Sequence, residues 1–254
     1  MLKKRIIPIQ LLNDGRLVKS VRFDSWRDVG DPVKSSAVYN SQYADELIFL
    51  NVSRERRSVE DLQKIITDVS KVSFMPMAMG GGIKTAEDAA FIILNGADKV
   101  VVNSVAYSNP SVISTTADKF GAQAVIVGID VRWDEERADY TLYSDCGRRV
   151  ENVALEEHIE KMLQAGAGEI MVQSIDRDGT MTGFDVPLIK RAMAVSSAPV
   201  IAAGGSGNYG QMRDAFVETD VSALACGSLF NFSDSNPIRA KAFLSNHGLN
   251  FKKV

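Results

Sequence analysis

Eight short, almost continuous apolar runs recur along the chain, at residues 5–11, 47–52, 75–79, 99–102, 124–130, 169–174, 200–203 and 223–225. Each reads as a β-strand covered on both faces, as the strands of a parallel sheet are. Markers at or just after the run ends are Leu11, Asn51, Gly80 and Asn103, then Asp130, Asp176, Gly204 and Gly227. They are spaced 40, 29 and 23 residues in the first half and 46, 28 and 23 in the second. A long, medium and short spacing repeated twice points to a duplicated unit of four strands. Between the runs, residues 58–69, 85–94, 110–120, 155–164, 185–194 and 211–217 carry apolar side chains at helical spacing. Ser58, ahead of Glu60 and Asp61, reads as a helix cap with negative charge in the first turn. Strand and helix alternating through 254 residues, about 32 per unit, predict an α/β protein. The expected architecture is a (β/α)8 barrel of two (β/α)4 half-barrels, one domain over residues 1–254 with no Pro/Ser-rich linker.

Composition removes several function classes. Lys plus Arg is 29 and Asp plus Glu is 32, a net charge of -3, whereas a dedicated nucleic-acid binder is basic over its domain. The aromatic residues offer no stacking platform at readable spacing. The N-terminal apolar run is too short for a signal segment or a membrane span, so a cytoplasmic protein is expected. Cys146 and Cys226 lie 80 residues apart, and the two histidines are His158 and His247. Neither a zinc site nor a disulfide framework is readable from that set, and both cysteines are expected to be buried or half-buried. No metal and no cofactor is expected. The charge runs at 54–57 and 134–137 read as solvated loops.

Glycines mark the chemistry. Gly80-Gly81-Gly82 with Asn103-Ser104, and Gly204-Gly205 with Gly227-Ser228, close strands three and four and strands seven and eight. Such turns let backbone N–H groups converge on a phosphate, and the loops after strands seven and eight are a frequent phosphate site in these barrels. The bland alternative is that the glycines only permit tight βα turns. Two sets at matched positions favour two phosphate sites facing each other across one barrel mouth, and hence a phosphorylated small-molecule substrate. No Walker-type motif occurs, which disfavours a nucleoside triphosphate.

Six strings carry a resemblance over essentially the whole chain. In order they are the opening Met1-Leu2-Lys3-Lys4-Arg5-Ile6-Ile7, the Asp14-Gly15-Arg16 turn, Gly80-Gly81-Gly82-Ile83, Gly96-Ala97-Asp98-Lys99-Val100, Ile129-Asp130 and Ser174-Ile175-Asp176-Arg177-Asp178-Gly179-Thr180. With them the sequence resembles HisF, the cyclase subunit of imidazole glycerol phosphate synthase. The resemblance implies a barrel that receives ammonia from a HisH-like glutaminase and joins it to a bis-phosphorylated ribonucleotide. It implies Asp130 as a catalytic acid or base, and Lys19, Gly81, Gly82, Asn103, Ser104, Asp176, Asp178, Gly204, Gly205, Gly227 and Ser228 around substrate and phosphate. Lys19 and Phe23 match a first βα loop that covers the substrate. Arg5, Glu46, Lys99 and Glu169 match a charged ring that gates ammonia at the barrel bottom, and Asp98 matches a contact to the glutaminase.

Two positions depart from the family pattern. The family places a second catalytic aspartate at the end of strand one, where this chain has Leu11. It usually has aspartate at the end of strand two, where this chain has Asn51. Leucine can neither carry charge nor move a proton, and asparagine cannot act as a base. Losing one of two acid–base groups typically costs about 10²–10⁴ in rate. The leading expectation is therefore a HisF paralogue that conducts ammonia for another amidotransfer, with a third enzyme as acceptor in acetamidino-sugar and surface-polysaccharide (lipopolysaccharide) synthesis. The alternatives are an authentic cyclase in histidine biosynthesis, with Asp14 or Asp176 replacing the missing aspartate, and a non-catalytic, phosphate-binding activator of the glutaminase.

Overall fold

The computed structural model describes residues 3–54 and 58–252, so residues 55–57 of the first charge run lie outside the described residues. Strand β1 (Arg5–Asn13) continues into a hairpin of β2 (Arg16–Val21) and β3 (Asp24–Gly30), followed by α1 (Pro32–Ser41). Then come β4 (Leu47–Asn51), α2 (Glu60–Ser70), β5 (Met77–Gly80), α3 (Ala86–Leu94), β6 (Lys99–Val102), α4 (Ser104–Ser108) and α5 (Ser111–Phe120). The second half repeats the plan. Strand β7 (Val125–Asp134) runs into a hairpin of β8 (Asp139–Ser144) and β9 (Arg149–Glu151), followed by α6 (Leu155–Gln164). It ends with β10 (Glu169–Ser174), α7 (Val186–Val195), β11 (Val200–Ala203), α8 (Tyr209–Thr219), β12 (Ala223–Cys226), α9 (Ser228–Phe232) and α10 (Pro237–Ser245).

The parallel order β10-β11-β12-β1-β4-β5-β6-β7 closes on itself through β7 with β10, where Gln173 lies beside Asp130. This is the eight-stranded (β/α)8 barrel the spacing predicts, with β1 and β7 diametrically opposed. Two apolar clusters follow from strand alternation. Residues such as Ile7, Ile9, Ile48, Val101, Ile126 and Met171 fill the interior, while their outward neighbours pack beneath the helices. No helix among the described residues is long and apolar enough to cross a membrane.

The elements that escape the sequence reading have physical reasons to do so. Strands β1 and β7 extend two and four residues past the expected 11 and 130, because each pairs with its own hairpin as well as its barrel neighbours. Those inserts are why the first spacing in each half is the longest. Helix α1 buries Pro32, Ser36 and Tyr39, so its inward face is not an apolar stripe. Helix α10 buries Lys241, whose ammonium donates to the Asp45 carboxylate at 2.6 Å and to the Tyr43 carbonyl at 2.5 Å. Helix α2 starts with Val59 in the cap position, although the Ser58 hydroxyl does accept from the Asp61 N–H at 3.4 Å.

Candidate active site

At the carboxyl ends of the strands lies a mouth cavity of about 820 Å³, counting the space open to solvent. Alternation aims residues 7, 9 and 11 of β1 and residues 126, 128 and 130 of β7 inward, which brings Leu11 and Asp130 to the same cavity from opposite walls. Leu50, Asn103, Gln173, Gly81 and Gly82 line it too. The β2–β3 hairpin roofs it with Phe23 and Trp26, and the β8–β9 turn adds the half-buried Cys146. The two roof pieces touch, the Phe23 ring against Gly147. The hairpin tip is tied down as well, Arg22 donating from its N–H to the Asp178 carbonyl at 2.9 Å and from Nε to the Asp176 carbonyl at 3.2 Å.

Asp130 is 8 % exposed, and Asn103 Nδ2 donates to its Oδ2 at 2.8 Å. Burial pushes the carboxyl up to about 7, against the opposing effect of the Asn103 hydrogen bond and with some help from the Asp178 charge. A carboxyl poised there holds and releases a proton near neutral pH. Across the barrel Leu11 is 5 % exposed and adjoins Leu50 on β4. Asn51 lines the same cavity, its Oδ1 accepting from the Ser53 N–H at 3.1 Å. Asp14 sits exposed in the β1–β2 turn, and Asp176 turns to β7, where Oδ2 accepts from the Trp133 N–H at 2.9 Å. Neither lines the mouth.

The two glycine sets sit where the spacing puts them, on opposite sides of the barrel end. Gly81 adopts φ +94°, and a Cβ there would lie 2.1 Å from the Asn51 carbonyl oxygen. Gly81→Ala is expected to cost roughly 3 kcal/mol or more, read from a urea midpoint, because both strain and clash fall on backbone. Gly204, Gly205, Gly227 and Ser228 line a second cavity of about 280 Å³ with Lys19 and Asp178. Lys19, 3 % exposed, lays its side chain directly against Gly227, with Nζ 3.5 Å from Asp178 Oδ1. Cys226 borders this cavity, its thiol pushed up to about 12 by burial, which keeps it protonated and inert.

At the opposite, amino end of the strands, four side chains close a ring. Arg5 bonds Glu46 at 2.6 Å and Glu169 at 2.5 Å, and Lys99 bonds Glu46 at 2.9 Å and Glu169 at 2.5 Å. Burial works against these charges, yet Arg5 and Lys99 together hold the Glu169 carboxyl below the usual range. Asp98 is exposed on the same face, Oδ2 accepting from the Met77 N–H at 2.8 Å.

Comparison with known proteins decides the family. The family model described as histidine biosynthesis protein matches residues 5–235. Imidazole glycerol phosphate synthase subunit HisF of Staphylococcus carnosus is 38% identical over 252 residues, 99% of each chain. Its counterpart in Lactiplantibacillus plantarum is 39% identical over 249 residues, 98% of this chain and 99% of the relative. The chain belongs to the HisF family. Among residues that sequence reading passed over in this HisF-family mouth are Trp26, Leu50 and Gln173. Gln173 had a usable signal, since alternation from Glu169 through Met171 points it inward.

Proposed function

We propose that this chain is the ammonia-receiving subunit of a glutamine amidotransferase, and that it aminates a phosphorylated small molecule by a reaction other than imidazole glycerol phosphate formation. The observation that carries this reading is that, among the described residues, one carboxylate lines the mouth cavity, Asp130 facing Leu11, with Asp14 and Asp176 both outside the lining. A HisH-like glutaminase docks at the face of Asp98 and the charged ring, hydrolyses glutamine, and releases ammonia beneath the barrel. The apolar interior between ring and mouth suits neutral ammonia and rejects ammonium, whose desolvation costs far more. At the mouth the nitrogen lone pair attacks an electrophilic carbon of the ligand. Asp130, protonated about half the time near pH 7, gives its proton to the departing oxygen and takes one back from the new nitrogen. A third enzyme, as in acetamidino-sugar synthesis, is the downstream consumer of the aminated product.

The test is turnover of the purified pair with ammonium and the bis-phosphorylated ribonucleotide of histidine-type cyclisation. At saturating substrate the wild type is expected to run at least about 10²-fold below a cyclase with two carboxylates, and Leu11→Asp to recover about 10². Normal turnover of the wild type sinks the reading and makes the chain an authentic cyclase.

A further inference from the structure

Two rings stand behind the acid of the mouth, outside its lining. Tyr107 on α4 and His158 on α6 stack face to face, with ring centroids 4.1 Å apart and planes 3° from parallel. His158 is 2 % exposed, and its Nε2 is buried with no hydrogen-bond partner among the described residues. The Tyr107 hydroxyl is buried in the same condition. So is Oδ1 of Asn103, the residue whose Nδ2 donates to Asp130 Oδ2 at 2.8 Å. Buried polar atoms are nearly all satisfied in folded proteins, so three left over in adjoining residues call for a common partner.

The three residues adjoin through α4. Asn103 directly precedes that helix and Tyr107 follows four residues on, one turn along the same side. Both reach Asp130, Asn103 by its hydrogen bond and Tyr107 through the charges of Asp130 and Glu151, which add to burial in pushing its phenol up. Glu151 is engaged elsewhere, accepting from the Ser144 hydroxyl and pairing with Arg149 at 2.8 Å. Burial, helped by the Lys161 charge and opposed by Glu151, lowers His158 to about 4, so its ring is neutral at working pH.

This set matches one water molecule. Asn103 Oδ1 accepts, one nitrogen of a neutral imidazole accepts, and the Tyr107 hydroxyl donates. A water offers two donors and an acceptor, and about three partners is usual for a buried one. The match bears on the acid, because an asparagine can turn either end of its amide to a carboxyl. A donor fixed on Oδ1 keeps Nδ2 on Asp130.

We propose that Tyr107 and His158 are positioning residues for Asp130, holding one buried water between the Tyr107 hydroxyl, His158 Nε2 and Asn103 Oδ1 that fixes the Asn103 amide with Nδ2 toward the acid. This rests on Asp130 being the acid–base group of the amination. The other charged or titratable neighbours of Asp130 are Tyr143, its register partner on β8, and Asp178 after β10. The Asn103 hydrogen bond lowers the Asp130 carboxyl, so loosening that amide raises it.

The test is the titration of the Asp130 carboxyl, read by carbon NMR on the full chain labelled at aspartate, with Asp130→Asn assigning the signal. Tyr107→Phe keeps the ring and removes the donor, and should raise the midpoint by about half a unit or more. His158→Phe should move it the same way, and the double variant no further than the larger single one, since all three atoms share one water. The pH profile of kcat for the pair with its glutaminase should move with the titration. A crystal structure of the wild type should show an ordered water touching the three atoms, and that of Tyr107→Phe should lack it. A midpoint unchanged or lowered in Tyr107→Phe, additive shifts in the double variant, or a wild-type crystal structure without that water each overturns the proposal. A pair that fails to aminate defeats the proposed function and leaves the titration readable, since it needs no substrate. An unmoved titration in a pair that aminates leaves the function standing and removes this proposal.

Discussion

Arg5→Ala is expected to destabilise the protein by about 3–5 kcal/mol at pH 7, because it leaves Glu46 and Glu169 buried with Lys99 as their one remaining ring partner. The cost lies in the uncompensated charge, and so it depends on pH in a defined direction. Arg5 and Lys99 hold the Glu169 carboxyl below its ordinary range, so its contribution to stability is present above the pKa of an unfolded glutamate. That contribution is lost as pH falls through the lower, folded value. Urea midpoints of the wild type should therefore drop as pH is taken from 7 to below about 4. Those of Arg5→Ala should drop less, since its glutamates no longer have that arginine to lose. A loss below about 1 kcal/mol at pH 7, or an unchanged pH slope, would show that the ring contributes little to the fold.

Asp130→Asn should do the opposite to stability and abolish most activity. Burial lifts the Asp130 carboxyl up to about 7, above its unfolded value near 3.9, so the folded chain binds more protons between those limits. Wild-type stability contributed by this group is full below about pH 4 and declines as pH rises to about 7, after which the cost is constant. Asparagine has nearly the same shape, can still accept from Asn103 Nδ2, and carries no charge to desolvate. The variant should be more stable than the wild type at pH 8 by roughly 2–4 kcal/mol, with the difference vanishing toward pH 4. Amination by the pair should fall about 10²–10⁴-fold. Equal stability at pH 8 would mean that Asp130 is solvated and ionised in the working protein.

The barrel was legible because strands buried on both faces are written as apolar runs, and the glycine turns punctuate them at fixed places. The β8 segment Asp139–Ser144 also carried a clean alternation, with Tyr140, Leu142 and Ser144 buried and their neighbours half-exposed. It falls between the fifth and sixth apolar runs, in a span for which the apolar-run pattern names no strand. The β3 strand was not legible, since Asp24–Gly30 has no buried residue and pairs only with β2. The ring of Arg5, Glu46, Lys99 and Glu169 could come only through resemblance, because four charges scattered over 165 residues of sequence look like ordinary surface pairs until closure of the barrel brings them within 3 Å. Asp176 was expected at the mouth as the repeat mate of Asn51. Its capping of the Trp133 N–H depends on the extension of β7, which the run of apolar residues does not announce.

The two long ribbons, β1 and β7, begin at the barrel floor and run on into their hairpins, so residues 11 and 130 lie within the strands and not at their tips. Leu11 is flanked in register by Leu50 and Val18, and Asp130 by Gln173 and Tyr143. The leucine and the acid are therefore held by backbone pairing on both sides, so the apolar and the acidic walls of this mouth are set by the sheet itself and not by a loop.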